Sequence, residues 1–100
     1  MLDLATATRA QFEPFIGQTF ELPVPTGSAI PLTLAEVRPL GAARSGTGRE
    51  PFALTFHGVP ALRAQQQIYR LEHATLGTME IFLVQTGADA KASQFEAVFN

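Results

Sequence analysis

Two histidines, His57 and His73, are the side chains best suited to metal or acid–base chemistry in this sequence, which contains no cysteine. Metal sites usually need two or three imidazole, thiolate or carboxylate ligands that converge on one point. His57 follows an alternating apolar run, His73 falls on the apolar phase of another, and neither has a closely spaced ligand partner. We therefore expect two structural histidines, no metal site and no cofactor.

Three serines, Ser28, Ser45 and Ser93, are the candidate hydroxyl nucleophiles. None lies in the Gly-x-Ser-x-Gly turn that exposes a catalytic serine between a strand and a helix. The stretch 46–49 (GTGR) is a poor match to a phosphate-binding loop, because such a loop opens a helix and this one leads to a predicted strand at Phe52. We predict that the protein is not an enzyme.

Composition and charge restrict the class of protein further. With 46% hydrophobic and 16% charged residues, the 100-residue chain is expected to fold, as one domain over 1–100. Seven basic against nine acidic residues give a net charge of −2, without the basic excess typical of nucleic-acid binding. We find no signal peptide and no apolar run of about 18 residues, so we expect no membrane association and a cytoplasmic location.

The elements that position these residues are mostly strands, because apolar and polar residues alternate along the chain. The predicted strands lie within residues 20–24, 30–37, 52–56, 68–74, 78–85 and 95–99. A break of phase between Leu34 and Val37 predicts a β-bulge near Ala35. The pattern predicts an all-β fold: a small barrel or rolled antiparallel sheet of about five to seven strands with one short N-terminal helix.

That helix is predicted over residues 8–16. Thr8 and Gln11 have the spacing of a capping box. The apolar side chains share one face because their spacing is i, i+3, i+4; they are Phe12, Phe15 and Ile16. Pro14 lacks a backbone donor and keeps the helix short.

Residues 68–85 predict a β-hairpin with a three-residue loop that ends at Gly77. This loop gives Gly77 the left-handed conformation and sorts most apolar side chains onto one face. In that register Ile68 lies opposite Val84, and Arg70 lies opposite Phe82. The outward face then carries three large apolar side chains, which is unusual for a surface strand pair.

The same register places Glu72 opposite Glu80. Paired carboxylates can hold different proton affinities and perform acid–base chemistry. This pair faces outward, however, and Arg70 lies close enough to neutralise part of its charge. We expect a solvated charge ladder rather than a catalytic pair.

The outward apolar side chains need a cover, since burying each contributes about 1.5–3 kcal/mol. One cover is the N-terminal helix, through its apolar face; the other is a protein partner or a second copy of the chain. The glycine-rich loop 41–50 carries two arginines that are expected to join such an interface. The predicted partner interface comprises Ile68, Phe82, Val84, Arg44 and Arg49.

Six short stretches occur in a characteristic order along the chain. They are 15–20 (FIGQTF), 51–58 (PFALTFHG), 69–73 (YRLEH), 76–77 (LG), 81–84 (IFLV) and 95–100 (FEAVFN). In this order the chain resembles, over nearly its whole length, a family of small bacterial proteins known only as a domain of unknown function. The resemblance implies no catalytic residues. It implies an association with phage-tail-like or tail-collar proteins, and hence a role in assembly.

We predict a non-enzymatic structural or interaction module that self-associates or docks onto a larger assembly. The alternative is a small-ligand-binding barrel in which Phe52, Phe56, Tyr69 and Leu71 line a cavity. A barrel of so few strands has an interior just wide enough for side chains, which favours a filled core over a cavity.

Overall fold

The computed structural model describes residues 7–23, 29–41, 51–60, 66–88 and 91–99. A single turn of α-helix, α1 (Arg9–Phe12), continues into a 3₁₀ helix over Glu13–Phe15. The side-chain oxygen of Gln11 accepts a hydrogen bond from the backbone N–H of Thr8 at 2.8 Å, which confirms the predicted cap. Pro14 lies at the start of the 3₁₀ segment, where its missing donor costs no helical hydrogen bond.

Six strands follow the helix and form one closed antiparallel barrel in the order β1-β2-β3-β6-β5-β4. Their bounds are β1 (Thr19–Leu22), β2 (Ile30–Pro39), β3 (Phe52–Gly58), β4 (Gln67–His73), β5 (Gly77–Ala88) and β6 (Ser93–Phe99). The predicted fold class is confirmed. The alternation of apolar residues places one side of each strand inside the barrel, where the side chains pack as a continuous core.

The helix closes one end of the barrel, the end at which β1, β3 and β5 begin. Phe12 is fully buried there, with its ring centroid 5.9 Å from Phe52 and 5.8 Å from Phe99. Phe52 and Phe99 face each other across β3 and β6, and their rings stack at 4.8 Å. Of the two covers considered for the outward face of the hairpin, the helix is therefore the wrong one, because its apolar side plugs the barrel end and leaves Ile68 and Phe82 exposed.

Two β-bulges interrupt the strand pairing. The first lies between Leu34 and Glu36, where β2 pairs with β3, and confirms the bulge predicted near Ala35. The second lies between Gln85 and Gly87, where β5 pairs with β6. The second bulge was not predicted. It lies just beyond the predicted end of this strand at Gln85.

The hairpin of β4 and β5 has the predicted three-residue loop and left-handed glycine, with Gly77 at φ +82°, but the loop lies one residue earlier. His73 pairs with Gly77, so the loop is 74–76 and every predicted pair is off by two residues. The ring of His73 explains the shift, because its Nδ1 accepts hydrogen bonds from the backbone N–H groups of Thr75 and Leu76, at 3.0 and 3.1 Å.

A shift of two residues preserves which side chains point outward but changes their neighbours. Ile68 lies opposite Phe82 rather than Val84. The predicted pairing of Glu72 with Glu80 is also wrong. Glu80 lies opposite Arg70, and Glu72 lies opposite Thr78.

Candidate functional site

Four apolar side chains point outward across β4, β5 and β6, and we call them the outer apolar stripe: Ile68, Phe82, Val84 and Val98. Ile68 and Phe82 are direct cross-strand partners and are 62% and 52% exposed. Val98 is 51% exposed. It lies two residues after Glu96, the partner of Val84, so the antiparallel register of β5 and β6 places it beside Phe82. The stripe is thus a continuous apolar surface on three hydrogen-bonded strands.

Val98 is the member of the stripe that the sequence analysis missed. Phe95, Ala97 and Phe99 mark the inward phase of β6, and Val98 is an apolar residue in the opposite phase. The same two-phase apolar pattern drew attention to β5. The sequence therefore did contain a signal for Val98, a single apolar residue at an outward position of β6, but only the inward positions of that strand were interpreted.

Two arginine–glutamate pairs flank the stripe with balanced charge. Arg70 and Glu80 are cross-strand partners adjacent to the Ile68–Phe82 pair. Arg38 forms an ion pair with Glu96, with 2.7 Å between Nη2 and Oε2. The predicted interface residues Arg44 and Arg49 lie outside the described residues.

A polar groove with a volume of about 470 Å³ lies beside the stripe, on the outer surface of β2, β3, β6 and β5. It is lined by Ala35, Glu36, Arg38, Thr55, His57, Thr86, Gln94 and Glu96. Thr55 is its central residue, paired with Glu36 on one side and with Glu96 on the other. Since Glu96 is also the partner of Val84, the groove and the stripe share an edge.

The two histidines have different surroundings. His73 is buried, with its Nε2 2.7 Å from Oε1 of Gln18 and its ring 4.9 Å and 4.6 Å from those of Phe15 and Phe20. Its Nδ1 accepts two backbone hydrogen bonds, so Nε2 carries the proton and donates a hydrogen bond to Oε1 of Gln18. His57 is half-buried and faces the groove.

The described residues bring together no three His, Asp or Glu side chains that could hold a metal ion. Ser93 is fully buried inside the barrel, whereas His57 lies on the outward phase of the neighbouring strand, so these two do not meet. Ser28 and Ser45 lie outside the described residues. Glu72 faces Glu21 of β1, at the strand pair that closes the barrel.

The fold and its surfaces define a small six-stranded antiparallel β-barrel with an apolar stripe and a polar groove on its outside. The chain belongs to the family described as Domain of unknown function (DUF6916), which matches residues 7–99. No curated protein and no solved structure matches the chain. In the described parts of the chain, none of the helices has the length and apolarity needed to span a bilayer.

Proposed function

We propose that the protein is a non-enzymatic interaction module that pairs with a second copy of itself through the outer apolar stripe. The observation that carries the proposal is the exposure of Ile68 and Phe82, 62% and 52%, side by side on adjacent strands. Burying the exposed halves of these two side chains contributes about 2–3 kcal/mol in total, which is not gained while they face water. Apolar surface of this kind on a small protein is typical of an interface.

The charges beside the stripe favour a second copy as the occupant. A two-fold axis brings the same surface of both molecules together, so the surface must be complementary to itself. Arg70 and Glu80 supply one charge of each sign next to the apolar centre, and Arg38 and Glu96 supply another such pair. A partner of strongly basic or acidic character would find no excess of opposite charge in these two pairs.

The packing of the interior supports an interaction role over the ligand-binding alternative. Phe52, Phe56 and Leu71, which would have lined a cavity, are fully buried in the core. The rings of Phe20 and Phe56 meet edge to face at 5.3 Å inside the barrel. Tyr69 is half-buried against the same core.

An assembly role belongs to the same proposal at a finer level. A barrel with one apolar face can pack as one of many copies in a larger assembly, such as the phage-tail-like assemblies that the sequence resemblance implies. A bacterial source and a cytoplasmic location remain part of that proposal.

Sedimentation velocity over a wide concentration range tests the pairing. We expect the wild-type protein to dimerise, and the double substitution I68S/F82S to yield a folded monomer. Val59→Ser is the matched control, because Val59 is 47% exposed but lies beyond the end of β3, outside the stripe. A wild-type protein that stays monomeric up to about 1 mM, where the binding free energy is only about 4 kcal/mol, overturns the proposal. So does a dimer that I68S/F82S leaves intact.

A further inference from the structure

The polar groove is built by the two β-bulges, which lie on either side of one row of paired residues. That row runs across four strands through Leu34, Phe56, Phe95 and Gln85. The bulge at Ala35 follows Leu34 in β2, and the bulge at Thr86 follows Gln85 in β5. A bulge bends its strand and increases the local twist. Because the two bulges lie on opposite sides of this row, they bend the barrel wall around β3 and β6, where the groove lies.

Among the described residues, the charges in the groove leave one carboxylate without an ion-pair partner. Glu96 is neutralised by Arg38 through the 2.7 Å ion pair. Glu36 is exposed and forms no ion pair within the described part of the chain. The carboxylate and guanidinium groups that line the groove therefore sum to one net negative charge.

Apart from Ala35, the remaining lining groups are hydrogen-bonding side chains. Thr55 and Thr86 provide hydroxyl groups, Gln94 an amide and His57 an imidazole. His57 and Gln94 are cross-strand partners, two rows away from the Glu36–Thr55 pair, with the inward Phe56–Phe95 pair between them. Such groups surround and orient a polar ligand, whereas an apolar ligand would leave them without partners.

From this geometry we propose that the groove binds an organic cation, an ammonium or guanidinium group, with its charge at Glu36 and its other donors on Thr55, Gln94 and His57. The volume of about 470 Å³ lies within the range of small-ligand sites. An inorganic metal ion is a poorer fit, because the described residues supply no cluster of three ligands there. The groove shares its Glu96 edge with the outer apolar stripe, but its binding charge is Glu36, which lies on β2, so a failure of cation binding would leave the proposed dimer untouched.

Titration calorimetry with N-acetyl-arginine amide, and with its neutral isostere N-acetyl-citrulline amide, tests the proposal. We expect saturable binding of the arginine probe only, weakened by added salt because the attraction is electrostatic. Glu36→Gln should weaken that binding by about tenfold or more, since it removes a charge-assisted hydrogen bond. Glu21→Gln is the matched control, because Glu21 is an exposed carboxylate of β1 that lies outside both the groove and the stripe.

Arg38→Gln gives a result of opposite sign. It removes the positive charge that compensates Glu96, so the arginine probe should bind more tightly than to the wild type. Amide chemical shifts of Thr55, His57 and Gln94 should move on titration and locate the probe in the groove. Equal binding of the citrulline probe, an unchanged affinity in Glu36→Gln, or no tightening in Arg38→Gln overturns the proposal.

The source of the cation is distinguished by a second pair of probes. A five-residue peptide with a central arginine represents the side chain of a partner protein, and the free amide represents a small metabolite. Tighter binding of the peptide indicates a polypeptide ligand, and equal binding indicates a small molecule. In both cases the Glu36→Gln variant must bind the probe more weakly than the wild type does. A peptide that binds the variant and the wild type with equal affinity contradicts the proposed site.

Discussion

Arg38 and Glu96 form an ion pair of 2.7 Å although their strands do not touch, because β3 lies between β2 and β6. Ala53 of β3 is the outward residue paired with Arg38, and it is 0% exposed. Its small side chain leaves room on the outer face of β3 for the arginine to reach Glu96, which lies diagonally across β3, opposite Thr55. The pair thus ties together three strands of the barrel wall and forms one side of the polar groove.

Removing this ion pair should reveal a modest coupling energy. In a double-mutant cycle of Arg38→Gln and Glu96→Gln, we expect about 0.5–1 kcal/mol from urea unfolding, because both side chains are partly exposed to solvent. The pair of Arg9 and Glu13 on the helix, at 3.4 Å, is the control and should give about 0.3 kcal/mol. A coupling energy between Arg38 and Glu96 no larger than that of the helix pair would show that this ion pair across β3 does not stabilise the barrel.

The plug formed by Phe12 should be essential for stability, whereas exposed Phe82 should not. Phe12→Ala removes a fully buried ring from contact with Phe52 and Phe99, and we expect a loss of about 3–5 kcal/mol in unfolding free energy. Phe82→Ala is the matched control and should change the stability of the isolated chain by less than about 1 kcal/mol. Urea unfolding at low protein concentration, where dimers are absent, measures both. A similar loss in the two variants would contradict the helix as the plug.

Because of its hydrogen bonds, His73 should contribute more than His57 to the free energy of unfolding. His73→Ala removes the acceptor for two backbone N–H groups of the hairpin loop and the donor to Gln18, so we expect a loss of about 2–4 kcal/mol. His57→Ala affects a half-buried side chain at the groove and should cost less than about 1 kcal/mol. Nitrogen-15 NMR should show His73 with its proton on Nε2. A proton on Nδ1, or equal losses in the two variants, would rule out the assigned hydrogen bonds.

The barrel could be predicted from sequence because its periodic signals are strong and local. The alternation of Phe52, Leu54 and Phe56 marks an inward face directly. The bulge at Ala35 was visible because apolar residues on both sides of it changed phase. The bulge at Thr86 lies in a polar run with no apolar residues to mark the phase, so the pattern contained no signal for it.

The placement of surfaces was harder to predict, for physical reasons. The apolar face of the helix showed that Phe12 would be buried, but a helical period contains no information about which surface it covers. The hairpin register was off by two residues because such a shift leaves every side chain on the same face. The groove combines residues from four strands that are distant in sequence, and each of them resembles an ordinary solvent-exposed polar residue.

The strand pair that closes the barrel places two acidic residues opposite each other, Glu21 of β1 and Glu72 of β4. Like charges in facing positions destabilise a sheet, by roughly 0.2–1 kcal/mol. Glu72→Lys should convert the repulsion into attraction and raise the unfolding free energy by up to about 1 kcal/mol, with a smaller gain at high salt.

Glu80→Lys is the control, for which we expect the opposite change in unfolding free energy. Because Glu80 faces Arg70, the new lysine creates a repulsion and should lower stability. Thermal or urea unfolding at low and high salt distinguishes these outcomes. If Glu72→Lys proves no more stable than the wild type, Glu21 and Glu72 do not repel each other at the closure, and the two ends of the sheet meet without an electrostatic penalty.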